Sequence, residues 1–150
     1  ENGGNWLQSR MAHLAGQFAG ILQIEVSEKE SDNLKQALAT LEQDGLSVSV
    51  VTGLSTSSST DSGPVLHLEV VGQDQPGIVR QISAVISAHG GNVEELNTQL
   101  TSAPWSGETL FEAKAVLRMP DNNSLDDFRN ALEAITQDLM VDLSLVQQVN

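Results

Sequence analysis

The sequence predicts an α+β protein built from two units of one β-α-β-β-α-β plan, the first of them incomplete. Three observations carry this reading. Residues 65–150 alternate short apolar strands with two helical stripes. Residues 1–51 repeat the later part of that pattern. Between them, Thr52 to Pro64 reads TGLSTSSSTDSGP, a polar stretch with turn formers at both ends and nothing to bury, and so predicts a linker over 52–64.

The second unit is the template. Val65-Leu-His-Leu-Glu-Val-Val71 is apolar and rich in β-branched residues, which predicts a buried strand. Gly72 to Gly77 forms a turn. Ile78, Val79, Ile82, Val85 and Ile86 then recur along one face of a helix that Gly90-Gly91 ends. A strand from about Asn92 to Thr101 places Leu96, Thr98 and Leu100 on one side. Pro104-Trp-Ser-Gly107 turns the chain, and Leu110 to Met119 returns with Phe111, Ala113, Ala115, Leu117 and Met119 alternating. Ser124 and Asp127 resemble a capping pair for a helix striped by Leu125, Phe128, Leu132 and Ile135. Val141 to Leu145 closes as an alternating strand. This order lays two helices on one face of a four-stranded antiparallel sheet.

The first unit follows by repetition. Gly3-Gly4-Asn5 matches Gly90-Gly91-Asn92, and Phe18 to Val26 matches the returning strand, with a tighter hairpin before it. Leu34, Leu38 and Leu41 stand where Phe128, Leu132 and Ile135 stand. Leu46, Val48 and Val50 match Val141, Leu143 and Leu145, which predicts a final strand there. Nothing in residues 1–51 corresponds to Val65–His89, the first strand and first helix. That gap predicts residues upstream of Glu1 that supply both, because the final strand otherwise lacks a neighbour. The chain opens Glu1-Asn2-Gly3-Gly4 without an initiator Met, which suggests a fragment or a processed chain, and it shows no signal peptide.

Composition narrows the function. Seven Lys and Arg stand against 20 Asp and Glu, a net charge of −13. The basic residues are scattered, which argues against direct nucleic-acid binding and against adhesion to an anionic membrane. No apolar run is long enough to span a bilayer. The absence of Cys removes disulfides, thiolate nucleophiles and Cys-ligated zinc, and fits a cytoplasmic protein.

The most informative stretch is Gly72-Gln73-Asp74-Gln75-Pro76-Gly77-Ile78, between a strand and a helix. Asp74 is placed to cap the helix, Pro76 fits its first turn, and Gly77 lets a ligand or another backbone approach closely. Free N–H groups and the helix dipole there favour a carboxylate or phosphate. The glycine spacing is that of a P-loop, but Ile78-Val79 stands where Lys and Ser or Thr are required, and G-x-G-x-x-G is absent. A plain strand-to-helix turn is the other reading of the same residues.

Elsewhere no catalytic constellation and no cofactor site emerges. His13, His67 and His89 lie on separate elements, and His67 with Glu69 reads as a partly buried His beside a solvated carboxylate rather than a metal pair. No G-x-S-x-G elbow occurs. Glu94 and Glu95, adjacent on a strand, point to opposite faces. Trp105, in a hairpin turn, is expected to pack back onto its own sheet; the alternative is an exposed anchor for an interface.

Gly-Gln-Asp-Gln-Pro-Gly-Ile, a helix, then His89-Gly-Gly-Asn-Val93 resembles the ACT domain, a small regulatory module of ferredoxin-like βαββαβ fold that binds amino acids. The resemblance covers residues 65–146 in full and 1–51 as a partial copy. In that family the two turns lie side by side at a domain–domain interface and hold the ligand's amino and carboxylate groups. This implicates Gly72, Gln73, Asp74, Gln75, Pro76, Gly77 and Ile78 with Asn92 and Val93, and in the first unit Asn5 and Trp6. Residues 3 to 22, Gly-Gly-Asn-Trp-Leu-Gln-Ser-Arg-Met-Ala-His-Leu-Ala-Gly-Gln-Phe-Ala-Gly-Ile-Leu, are similar to the first unit of the glycine cleavage system transcriptional repressors, which are tandem ACT pairs. That resemblance implies a cytoplasmic, non-enzymatic regulator, a homo-oligomer such as a dimer. It would respond to glycine and act through a DNA-binding transcriptional activator. The alternative is an amino-acid-binding regulatory region of a larger metabolic enzyme.

Overall fold

A computed structural model describes residues 3–53, 63–121 and 124–148, and the chain divides into two compact units. The predicted linker falls mainly on residues 54–62, outside the described residues.

The second unit has strands β3 (Val65–Gln73), β4 (Asn92–Ser102), β5 (Thr109–Arg118) and β6 (Val141–Gln147), with helices α2 (Ile78–Ala88) and α3 (Leu125–Leu139). The sheet order is β4-β5-β3-β6, antiparallel throughout. Alternation along β3 puts Leu66, Leu68 and Val70 on the helix side, buried, while His67 and Glu69 face out. The strand read as buried is therefore buried on one face only, because both helices lie on the same side of the sheet. Ile78, Ile82 and Ile86 of α2 and Phe128, Leu132 and Leu139 of α3 complete the core. Phe128, Leu117 and Leu132 have no exposed surface, and each such side chain contributes about 1.5–3 kcal/mol through removal from water. The Ser124 side chain accepts the Asp127 N–H at 3.2 Å, so the predicted cap is formed.

Two local readings of this unit need correction. A β-bulge between Val93 and Glu95 shifts the register of β4 against β5, and a bulge breaks strict alternation. Glu94 pairs with Arg118 at 2.5 Å, while Glu95 stands opposite Val116. Both carboxylates therefore belong to the outer side of the sheet. Trp105, expected to pack back, is fully exposed at the tip of a turn closed by Ala103 and Glu108.

The first unit is a hairpin of β1 (Asn5–Leu14) and β2 (Gln17–Glu25), then α1 (Glu28–Thr40) and a short 3₁₀ turn, Leu41–Asp44. Ala15 and Gly16 both take positive φ, 50° and 80°, as the tight two-residue hairpin turn requires. Leu34 and Leu38 lie on α1 as expected and are half-buried; Leu41 falls in the 3₁₀ turn. The final strand predicted at Leu46, Val48 and Val50 is not formed, since residues 46–53 belong to no ladder. In the second unit the equivalent β6 exists by bonding to β3, and the described residues of the first unit offer no such strand. Among the described residues, no helix is long and apolar enough to cross a membrane.

Candidate functional site

The loop from β3 to α2 is shaped by contacts that sequence spacing alone does not reveal. Gly72 lies opposite Val141 in the β3–β6 ladder, and a Cβ there would come within 2.5 Å of the Val141 Cγ1 and 2.9 Å of the Met140 carbonyl oxygen. It is glycine because β6 starts against it. The Asp74 N–H donates to the Thr109 carbonyl at 3.2 Å, tying the loop to the start of β5. The Gln75 side chain donates to the Leu139 carbonyl, one of the carbonyls that a helix C-terminus leaves without a partner. Ile78 is 2% exposed and anchors α2 in the core.

The helix start differs from the sequence reading. Its N-cap is Gly77, not Asp74, and no side chain caps the helix. Gly77 takes φ 98°, in the left-handed region that glycine enters without a steric penalty. Its carbonyl accepts the Gln81 N–H at 3.0 Å. Pro76 therefore precedes the cap instead of occupying the first turn. Among the described residues, chain neighbours aside, a notional Cβ at Gly77 would meet Gln81 Nε2 at 3.8 Å, an ordinary contact. Among the described residues no side chain caps the first-turn N–H groups, which leaves there the kind of donor an anion uses.

At its other end, α2 closes with Gly90 at φ 68°, and the Gly91 N–H returns to the Ile86 carbonyl at 2.9 Å. His89 packs its ring 5.5 Å from that of Phe128 and is placed 2.9 Å from the Val85 carbonyl through Nδ1. Asn92 and Val93 follow, both exposed. Their position relative to the loop is set by β5. Asn92 stands opposite Arg118, whereas Gln73 stands opposite Leu110. Eight residues of strand separate those levels, about 26 Å at 3.3 Å per residue. Within one unit the two turns therefore sit at opposite ends of the sheet. Asn5 and Trp6 open β1 at the level of Glu25 and Ile24, and both are exposed.

Sequence reasoning did not anticipate the uncovered side of β4. Leu96 and Leu100 face the helix side opposite Ala115 and Phe111, yet they are 49% and 59% exposed. Leu96, with Val79, Ser83 and Val93, borders a shallow open apolar hollow between α2 and the sheet edge. On the outer face Glu69 pairs with Lys114 at 3.1 Å, and His67, exposed rather than partly buried, lies 3.3 Å from the Gln148 side chain. Among the described residues no group of three metal-ligating side chains forms.

The ACT domain family profile matches residues 65–139. The structure of an unknown protein from Galdieria sulphuraria is 28% identical over 97% of this chain and 83% of that one, with a TM-score of 0.73. A structure bearing the provisional name of glycine cleavage system transcriptional repressor matches 99% of this chain and 84% of its own, at 18% identity and a TM-score of 0.68. That is a likeness of fold. An ACT domain protein from Streptococcus pneumoniae aligns over 57% of this chain and 90% of its own, at 25% identity and a TM-score of 0.48. No curated protein sequence matches the chain.

Proposed function

The chain belongs to the ACT-domain family of regulatory modules, and from that premise we propose a cytoplasmic regulator that binds a small amino acid, glycine first, and represses glycine cleavage genes through a DNA-binding activator. The observation that carries the ligand is the start of α2, with its uncapped N–H groups beside the open left-handed Gly77. The ligand carboxylate docks there, bordered by Gln73 and Asp74, while Gly72, Gln75, Pro76 and Ile78 hold the loop in shape.

The ammonium goes to Asn92 and Val93 of a second copy. β4 is an edge strand, and two β4 strands pairing antiparallel about a two-fold axis place the Asn92 end of one beside the Ser102 end of the other. Ser102 stands opposite Thr109, the residue that ties down the loop. The site is thus completed by dimerisation, and the uncovered Leu96 and Leu100 would be covered by the same contact. Asn5 and Trp6 offer the equivalent turn in the first unit. The shared fold of the repressor-named structure supports the regulatory reading.

Calorimetry against a panel of free amino acids, with sedimentation run in parallel, tests the proposal. Glycine should bind, favour the dimer, and lose its binding in Gly77→Asn and in Asn92→Ala while both variants stay folded. Absence of binding by every amino acid would overturn the ligand reading.

A further inference from the structure

Trp105, in the turn between β4 and β5, is 100% exposed. The turn that carries it is nonetheless well tied. The Ala103 N–H donates to the Glu108 carbonyl at 2.8 Å, and the Gly107 N–H to the Ala103 carbonyl at 3.0 Å. The Glu108 N–H donates to the Ser106 hydroxyl at 3.3 Å. Gly107 takes φ 71°, which glycine accepts without strain. An indole held out on an ordered turn offers a large, preplaced contact surface.

The place of the turn narrows what meets that surface. Ser102 stands opposite Thr109 and Gln73 opposite Leu110, and the Asp74 N–H bonds the Thr109 carbonyl. The turn and the loop before α2 therefore leave the sheet at the same end. The order β4-β5-β3 sets the turn between that loop and the β4 edge. From β3 to a strand added beyond β4 is three strand spacings, about 14 Å. A small amino acid does not fill that width, and Trp105 stands within it. The turn also carries negative charge: the Glu108 carboxylate accepts the Ser106 hydroxyl at 3.3 Å, and residues 103–109 include no basic side chain.

We propose that Trp105 is a specificity-determining residue of the amino-acid site, with its indole face against the ligand's ammonium group. This role rests on the amino-acid reading of the β3–α2 loop. A cation is drawn to the face of an indole, and the Glu108 carboxylate adds to the same field. The indole also occupies the room beyond the ligand's α-carbon, which favours glycine over amino acids with large side chains.

The test measures glycine binding by the parent chain, Trp105→Leu and Trp105→Phe, using calorimetry and the indole N–H signals in heteronuclear NMR spectra. The Trp105 signal, identified by its loss in both variants, should move as glycine is added to the parent. Trp105→Leu keeps apolar bulk without an aromatic face and should weaken glycine binding at least tenfold, whereas Trp105→Phe should weaken it no more than about threefold. Both variants should unfold in urea at the parent's midpoint, as exposed substitutions do. Glycine binding with the Trp105 signal unmoved, or equally tight binding by Trp105→Leu, would overturn this role and leave the amino-acid site standing. Failure of every amino acid to bind the parent would overturn the site and this role together.

Discussion

Two positions at helix starts decide how the β3–α2 loop and helix α3 are built. Gly77 sits at φ 98° with open space around it, so a substitution there acts through the backbone and not through a clash. Gly77→Val should lower stability by about 1–2 kcal/mol, because a β-branched residue is strained in the left-handed region. Gly77→Asn should cost less, since asparagine enters that region more readily. Urea unfolding of the two variants measures the difference, and it leaves Gly77→Asn as the cleaner probe of ligand approach. Capping gives a second contrast. Ser124 bonds the Asp127 N–H and Asp74 makes no cap. Ser124→Ala should therefore cost about 1 kcal/mol, and Asp74→Ala should stay within about 0.5 kcal/mol, as an exposed substitution does. A loss at Asp74 equal to that at Ser124 would restore it as the cap.

Helices and strands were legible in the sequence wherever an apolar period ran along one element. The stripes at Ile78, Ile82 and Ile86 and at Phe128 and Leu132 are local patterns, and they are buried as patterned. What escaped depends on neighbours distant in the chain. Residues 46–50 alternate as well as Val141–Leu145 does, but a strand needs a partner, and only β6 has one. The bulge at Glu94 is a property of register, which alternation assumes and cannot report. The loop residues were all singled out, yet the roles of Gly72 and Gln75 come from Val141 and Leu139, which only the fold brings near. The same contrast between units predicts unequal mutational costs. Leu132 has no exposed surface, whereas its repeat equivalent Leu38 is half-buried. Leu132→Ala should cost about 3–5 kcal/mol, and Leu38→Ala clearly less, as chemical denaturation of each variant will show.

Charge acts on the scale of the whole molecule, and it bears on how the proposed repressor would reach a gene. The chain carries 20 acidic side chains against seven basic ones. Binding to duplex DNA draws on Lys and Arg that displace counterions from phosphates. Here Lys35 pairs with Asp32, Lys114 with Glu69 and Arg118 with Glu94, so part of an already small basic complement is engaged within the fold. The summed field repels a polyanion before any local contact can form. The purified chain should therefore leave duplex DNA unshifted at micromolar protein, and lowering the salt should not rescue binding. Salt-sensitive binding at micromolar affinity or better would show a basic surface that this charge distribution does not contain. With a DNA-binding activator added, the expectation reverses: the chain should enter the complex through protein contacts. Those contacts should be weakened less by salt than the activator's own hold on DNA, because they do not depend on counterion release from the phosphate backbone.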